Sequence, residues 1–234
     1  MLIEHGGVRI LTDPVLRARV AHLRRHGAPP HVPRGVDAVL ISHLHHDHLD
    51  LPSLRRLQGR PRLVAPRGSG KLLRRAGFEV EELEPGEGTE VRGLRIEAVP
   101  AVHSSLRWPL RGPRAEPLGF VIGERPSVYF AGDTDLFPEM ARLAPLDVAL
   151  LPVAGWGPSL GPGHLNAARA AEAAALLQAR VAIPIHWGTL HPQLSRLGDW
   201  FSRPGPDFEA QVAAVAPEVE VRVLRPAEST SVAA

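Results

Sequence analysis

Ser42-His43-Leu44-His45-His46-Asp47-His48-Leu49-Asp50 places four potential metal donors, His43, His45, Asp47 and His48, within six residues. Residues 36–41, just before it, form an apolar run with the length and β-branched character of a buried strand. The cluster therefore stands at the carboxyl end of a strand, the edge at which α/β folds bind ligands. Imidazoles at i and i+2 of an extended segment project the same way, so His43 and His45 can reach one ion together. Asp47 and His48 follow the turn and can face a second ion. Neutral imidazole and carboxylate are donors that zinc, iron and manganese accept. Without a metal, each of the four polar groups would need its own hydrogen-bonding partner. The alternative reading is a solvated, His-rich loop.

Outward from this stretch, the same arrangement of strand then donor recurs. Residues 2–5 and 8–11 read as a hairpin on Gly6-Gly7, closed by Thr12-Asp13-Pro14. Residues 17–35, rich in Arg, His, Pro and Gly, read as a loop. Residues 51–57 suit a short helix with Pro52 in its first turn. A strand at 62–65 precedes a helix at 70–76 closed by Gly77. Residues 78–80 and 94–99 alternate as strands, separated by 86–89. Residues 104–117 form an irregular, Arg-rich loop after His103. Apolar strands at 118–122, 127–131 and 146–152 follow. An Ala-rich helix at 167–177 has Asn166 as its N-cap. A strand at 181–185, a helix at 207–215 and a strand at 219–224 complete the pattern, with a frayed tail after Pro226. His43, His103, Asp133 and His186 each follow an apolar strand closely, so all can converge on one edge.

Bulk properties narrow the classes. A chain of 234 residues suits one domain, 1–234, with a sizeable core. There is no cysteine, which excludes disulfides and thiolate metal sites and fits a cytoplasmic protein. The pI of 9.8 reflects a flat titration curve: net charge is only +2, and almost all cations are arginine, with Lys71 the single lysine. No nucleic-acid partner is expected from that charge. No run approaches the roughly 20 apolar residues of a membrane span. A homo-oligomer is compatible with the sequence.

The ordered donor set resembles that of the metallo-β-lactamase superfamily of hydrolases, over almost the whole chain from Leu11-Thr12-Asp13-Pro14 to Leu224. His43-Leu44-His45-His46-Asp47-His48 matches the superfamily's H-x-H-x-D-H motif without departure. The resemblance implies an α/β fold, a four-layer αββα sandwich, with two metals at one edge of the paired sheets. It implies that His43, His45 and His103 hold the first metal, that Asp47, His48 and His186 hold the second, and that Asp133 bridges both. Asp13 matches an early Asp that buttresses ligands. The words around residues 10–15, 41–50 and 184–189 look like the branch containing N-acyl-phosphatidylethanolamine phospholipase D and the ascorbate-phosphate lactonases. In that branch His164, in Gly163-His164-Leu165-Asn166, falls where a further active-site His precedes a helix. Members carry another strand's worth of residues before Leu2, so this chain is expected to begin inside that element.

The function so implied is cleavage of an ester by a hydroxide generated on two divalent ions, zinc first, with manganese and iron as alternatives. Asp133 and His164 are the catalytic candidates, His164 contacting the substrate. The expected substrate is a small phosphodiester, with a lactone or other carboxylic ester as the alternative. Arg107, Arg111 and Arg114 are candidates to gather a phosphate, against a plain solvated loop. A nuclease of the same superfamily, a diiron redox protein and a non-catalytic metal-binding module are the rival classes. The redox relatives generally carry Glu where His45 stands. His5, His22, His26, His31 and His191 lack partners at useful spacing, His46 should point away from His45, and Trp187 suits core packing. Trp108 is a candidate pocket residue.

Overall fold

The computed structural model describes residues 1–107, 112–157 and 160–233. The chain opens with the expected antiparallel hairpin of β1 (Leu2–His5) and β2 (Val8–Thr12). Gly6 and Gly7 turn it with φ of 56° and 79°, values that glycine adopts without steric cost. In order there follow β3 (Arg19–Val20), β4 (Leu23–Arg25), β5 (Ala38–Leu40), β6 (Arg62–Pro66), β7 (Glu81–Leu83), β8 (Gly88–Val91) and β9 (Leu94–Pro100). Then come β10 (Leu118–Ile122), β11 (Val128–Phe130), β12 (Val148–Pro152), β13 (Val181–Ile185), β14 (Leu190–Pro192) and β15 (Glu220–Val221). The helices are α1 (Leu51–Leu54), α2 (Gly70–Arg75), α3 (Ala167–Leu176), α4 (Asp199–Ser202) and α5 (Pro204–Val215), with a 3-10 helix at Pro138–Leu143.

Two sheets dominate. One runs β1-β2-β5-β6-β7, the other β15-β13-β12-β11-β10-β9-β8. Their central strands carry no polar face, and alternation distributes their side chains between two cores. Ala38 and Leu40 of β5 join Val148 and Leu150 of β12 and Val181 and Ile183 of β13 in the core between the sheets. Val39 of β5 and the following Ile41 face the other way, onto Leu54 of α1 and Leu73 of α2. Tyr129, Ala149 and Ala182 face α3 and α5, where they meet Ala170, Ala173, Phe208 and Val212. The order is therefore helices, sheet, sheet, helices: the four-layer αββα sandwich of the metallo-β-lactamase fold.

Strand direction positions the site. β2 and β5 are parallel, as are β11, β12 and β13. β9 and β11 each run antiparallel to β10, so they too share one direction. The carboxyl ends of β9, β11 and β13 thus lie on one edge of their sheet, and those of β2 and β5 on one edge of the other.

Several boundaries differ from expectation. The strand expected at 78–80 lies instead at Glu81–Leu83. Phe78 closes α2: its N–H donates to Leu73 O and that of Gly77 to Arg74 O, both at 3.0 Å, the paired bonds of a Schellman cap. Its apolar side chain serves that cap and packs on the outer core. Residues 86–89, expected as a separator, contribute to β8, which pairs antiparallel with β9. Arg92 and Gly93, at φ of 50° and 84°, make the turn. The loop expected at 17–35 contains β3 and β4, which with β14 form a small third sheet. α5 begins at Pro204 rather than 207, and α1 ends at Leu54 rather than 57. Asn166 caps α3 as expected, its Oδ1 accepting from Arg169 N at 3.0 Å. Among the described residues, no helix is long and apolar enough to cross a membrane.

Candidate metal centre

The strand ends deliver every anticipated donor to one place. His43 follows β5, His103 follows β9, Asp133 follows β11 and His186 follows β13 directly. His48 N and Leu49 N both donate to His45 O, at 3.1 and 2.8 Å, a tight turn that swings Asp47 and His48 away from His43 and His45. Among the described residues four groups of three donors have ligand atoms within 4.8 Å of one another; His43/His45/His103 and Asp47/His48/His186 are the two anticipated, and Asp13/His43/His48 and His103/Asp133/His164 overlap them.

In the first group, His45 Nδ1 lies 3.0 Å from His43 Nε2 and 3.1 Å from His103 Nε2. In the second, His48 Nε2 and His186 Nε2 are 3.1 Å apart, with Asp47 Oδ2 3.7 and 3.5 Å from them. Asp133 lies between the groups. Its Oδ2 is 3.2 Å from His48 Nε2, 4.0 Å from His43 Nε2 and 3.9 Å from His103 Nε2, while its Oδ1 is 3.6 Å from His186 Nε2.

The surrounding hydrogen bonds fix which ring nitrogens face inward. His103 Nδ1–H donates to Gly163 O at 2.7 Å and His186 Nδ1–H to Ala154 O at 2.8 Å. His48 Nδ1–H donates to Asp13 Oδ2 at 2.7 Å. His43 Nδ1–H donates to Ser42 Oγ at 2.9 Å, and that hydroxyl donates to Asp13 Oδ2 at 2.5 Å. All four imidazoles thus spend their Nδ1 protons outward and aim Nε2 lone pairs into the centre. The inward lone pairs of His48 and His186, 3.1 Å apart, repel, and the buried Asp133 Oδ1 has no hydrogen-bond partner. A cation at each group answers both features, so the residues present fit a pair of divalent metals.

The electrostatics agree. Burial, reinforced by His48, holds His43 well below the usual imidazole range, and burial lowers His103 to about 4. Burial also opposes charge on His48 and His186, but Asp133 and Asp47 outweigh it, and both imidazoles are raised. Asp133 is held well below the carboxylate range because His186 and His48 overcome its burial, and Asp47 falls to about 2 for the same kind of reason. The pocket demands positive charge, which protons or metal ions can supply.

Asp13 and His186 hold positive φ of 39° and 62°, conformations that cost non-glycine residues of order 1 kcal/mol or more. Both are pinned by the hydrogen bonds just described. Gly132, at φ 63°, brings the chain so close to β5 that a Cβ there would lie 2.5 Å from that of Ser42.

His164 joins the centre, its Nε2 3.7 Å from Asp133 Oδ2 and its ring edge-on to His103. Its side chain is 23% exposed, against 3% for Asp133, so it stands on the open side. Asp13 buttresses, as its sequence context suggested. The roles of Ser42 and of the carbonyls of Ala154 and Gly163 were not anticipated; Ser42 is adjacent to His43, but backbone acceptors leave no mark in a sequence. His46 points away from the donors, its Nδ1 3.2 Å from Arg107 Nη2. Arg107 is not free to gather a phosphate: its guanidinium is turned onto the backbone of the donor loop. Arg114 is exposed, whereas Trp108 and Arg111 lie outside the described residues. Trp187 packs against the α3/α5 core and donates Nε1–H to Pro184 O, as expected. His5, His22, His26, His31 and His191 belong to none of the donor groups found among the described residues.

Comparison with known proteins agrees with this geometry. The model of the beta-lactamase superfamily domain matches residues 8–187. A metal-dependent hydrolase of Methanopyrus kandleri is 35% identical, covering 97% of this chain and 94% of its own. The N-acyl-phosphatidylethanolamine-hydrolyzing phospholipase D 1 of Caenorhabditis elegans is 31% identical over 81% of this chain and 61% of its own. The chain spans 65% of the length of mycobacterial relatives that are 31% identical to it. Igni18, a metallo hydrolase of Ignicoccus hospitalis, superposes with a TM-score of 0.73 at 25% identity, over 97% of this chain and 91% of its own. This chain belongs to the beta-lactamase superfamily.

Proposed function

We propose that the chain is a metal-dependent hydrolase that holds two divalent ions, zinc foremost, and cleaves a small phosphodiester. The observation that carries this reading is the convergence of six donors, in two groups of three, around the buried carboxylate of Asp133. The Methanopyrus metal-dependent hydrolase and the nematode phospholipase D support the reaction class, and the second supports a phosphodiester.

When bound, a pair of divalent ions supplies a water activated at neutral pH and polarises the scissile group. His43, His45 and His103 would hold one ion and Asp47, His48 and His186 the other, with an oxygen of Asp133 toward each. Asp133 also accepts a proton-bearing group at its Oδ2 face and so orients the attacking water. His164 Nε2, on the open side, is placed to contact the substrate, its Nδ1–H being turned to Gly161 O. The Asp13–Ser42 pair keeps His43 and His48 in their ligating tautomers. No side-chain nucleophile is required. The absence of cysteine fits a cytoplasmic setting.

The test combines metal analysis of protein purified without chelator with turnover of bis(p-nitrophenyl) phosphate and a simple lactone. About two ions per chain and chelator-sensitive cleavage of the phosphodiester are expected. A lactone preference would move the substrate to the carboxylic esters, and metal-replete protein without turnover on either would contradict the hydrolase reading.

A further inference from the structure

Arg107 makes an arrangement that the proposed reaction does not use. It lies in the connection between the antiparallel neighbours β9 and β10, where Arg107 N donates to Pro113 O and Ala115 N to Ser105 O, at 3.2 and 3.0 Å. From there its guanidinium reaches the donor loop. Nη1–H donates to Leu44 O at 2.5 Å and Nη2–H to Leu49 O at 3.2 Å, with His46 Nδ1 at 3.2 Å from the same Nη2. Leu44 lies between donors His43 and His45, and Leu49 directly follows His48. One planar cation therefore ties together the entry and exit of the loop that supplies four donors.

We propose that Arg107 is a positioning residue that sets the spacing of the donor loop and so the affinity of the centre for its metals. The fork geometry matters. A guanidinium presents several N–H groups in one rigid plane and can serve two carbonyls and a ring nitrogen at once. A lysine ammonium keeps the charge but is a compact group that does not reproduce that planar fork. The acceptors are not surface groups: Leu44 is 2% exposed and Leu49 fully buried, so their loop is enclosed by this side chain. A half-buried cation persists where its donors are satisfied, and these are met largely by backbone oxygens that strands and helices leave unpaired in this turn. The same contacts fasten the chain just after His103 to the loop carrying the other donors. Loosening the clamp would let the two supports of the His43/His45/His103 group move apart.

The inference rests on the proposed metal centre, so metal binding is measured rather than turnover. Zinc is titrated calorimetrically into the metal-free parent, Arg107→Ala, Arg107→Lys and the surface control Arg62→Ala, whose partner Glu81 lies far along the sheet. Melting of each metal-free protein is followed by circular dichroism. Arg107→Ala and Arg107→Lys are expected to bind zinc 10- to 100-fold more weakly, the range for groups that orient ligands. Guanidinium added at low millimolar concentration should restore most of the loss in Arg107→Ala and none in Arg107→Lys, a rescue that a general loss of folding would not show. Parental zinc affinity in Arg107→Lys, or weakened binding in Arg107→Ala that guanidinium leaves unchanged, overturns the positioning role while the metal centre stands. A parent that binds no zinc overturns both.

Discussion

The two donor groups share one loop yet differ in kind. His43, His45 and His103 form a set of three imidazoles, their rings edge-on at 4.6 to 4.8 Å, and desolvation pushes all three away from the charged form. Asp47, His48 and His186 include a carboxylate, their two rings stack at 5.0 Å, and both imidazoles favour a proton. Asp133 stands between, closest to His48. The first group is thus ready to ligate at neutral pH, whereas the second must exchange protons for metal. A motif that looks uniform in sequence produces one neutral and one acidic site.

Removing Asp133 should erase the comparison altogether, and this is the largest effect expected. Asp133→Ala loses the carboxylate common to both groups; turnover should fall by about 10³-fold, and metal analysis should find fewer than two ions per chain. Near-parental activity would sink the bridging role.

Breaking one side at a time sharpens the contrast. His45→Ala should empty the all-imidazole position and leave metal at the other, while Asp47→Ala should do the reverse; cobalt-substituted absorption spectra distinguish them. Identical spectra for the two variants would show that the groups do not act as separate sites. On the proposed reading, in which its ring contacts substrate, His164→Ala should keep both metals and lower kcat by about 10²-fold. Loss of metal in that variant would instead make His164 a ligand.

Acid should separate the groups without mutation. Metal binding requires neutral imidazole, and a raised imidazole pKa means that protons compete earlier as pH falls. The raised His48 and His186 should therefore surrender their ion first as pH drops, and the lowered His103, at about 4, with its partners should release theirs at lower pH. In the metal-free protein the sign reverses in consequence. The raised pair contributes stability that is fully present below the unfolded value and lost as pH rises through the folded one. The lowered set costs stability as pH falls below 6.5. Simultaneous release of both metals, followed by stepwise chelator titration, would contradict this order. The smallest effect concerns the scaffold: Gly132→Ala, which presses on Ser42 and strains a positive φ, should cost about 1–3 kcal/mol in thermal unfolding.

The donors were legible because each follows an apolar strand and the H-x-H-x-D-H spacing is local. The layers were legible because runs such as residues 148–152 are apolar on both faces. What escaped notice was set by tertiary context. Phe78 resembles a strand residue yet closes α2, because Gly77 in the left-handed region completes a cap. Residues 86–89 look like a separator, yet 88 and 89 pair as part of a strand because Arg92-Gly93 reverse the chain just after it. β3, β4 and β14 have two or three residues each, too short for any periodicity to register. Arg107 looked like a phosphate ligand because charge is visible in sequence, whereas the carbonyls it meets are not.

The central claim is that one loop supplies two distinct metal positions joined through Asp133. Anomalous diffraction at the zinc edge from crystals grown with zinc tests it directly. Two peaks are expected, one among His43, His45 and His103 and one among Asp47, His48 and His186, each beside an oxygen of Asp133. A single peak, or zinc seated away from these residues, would contradict it.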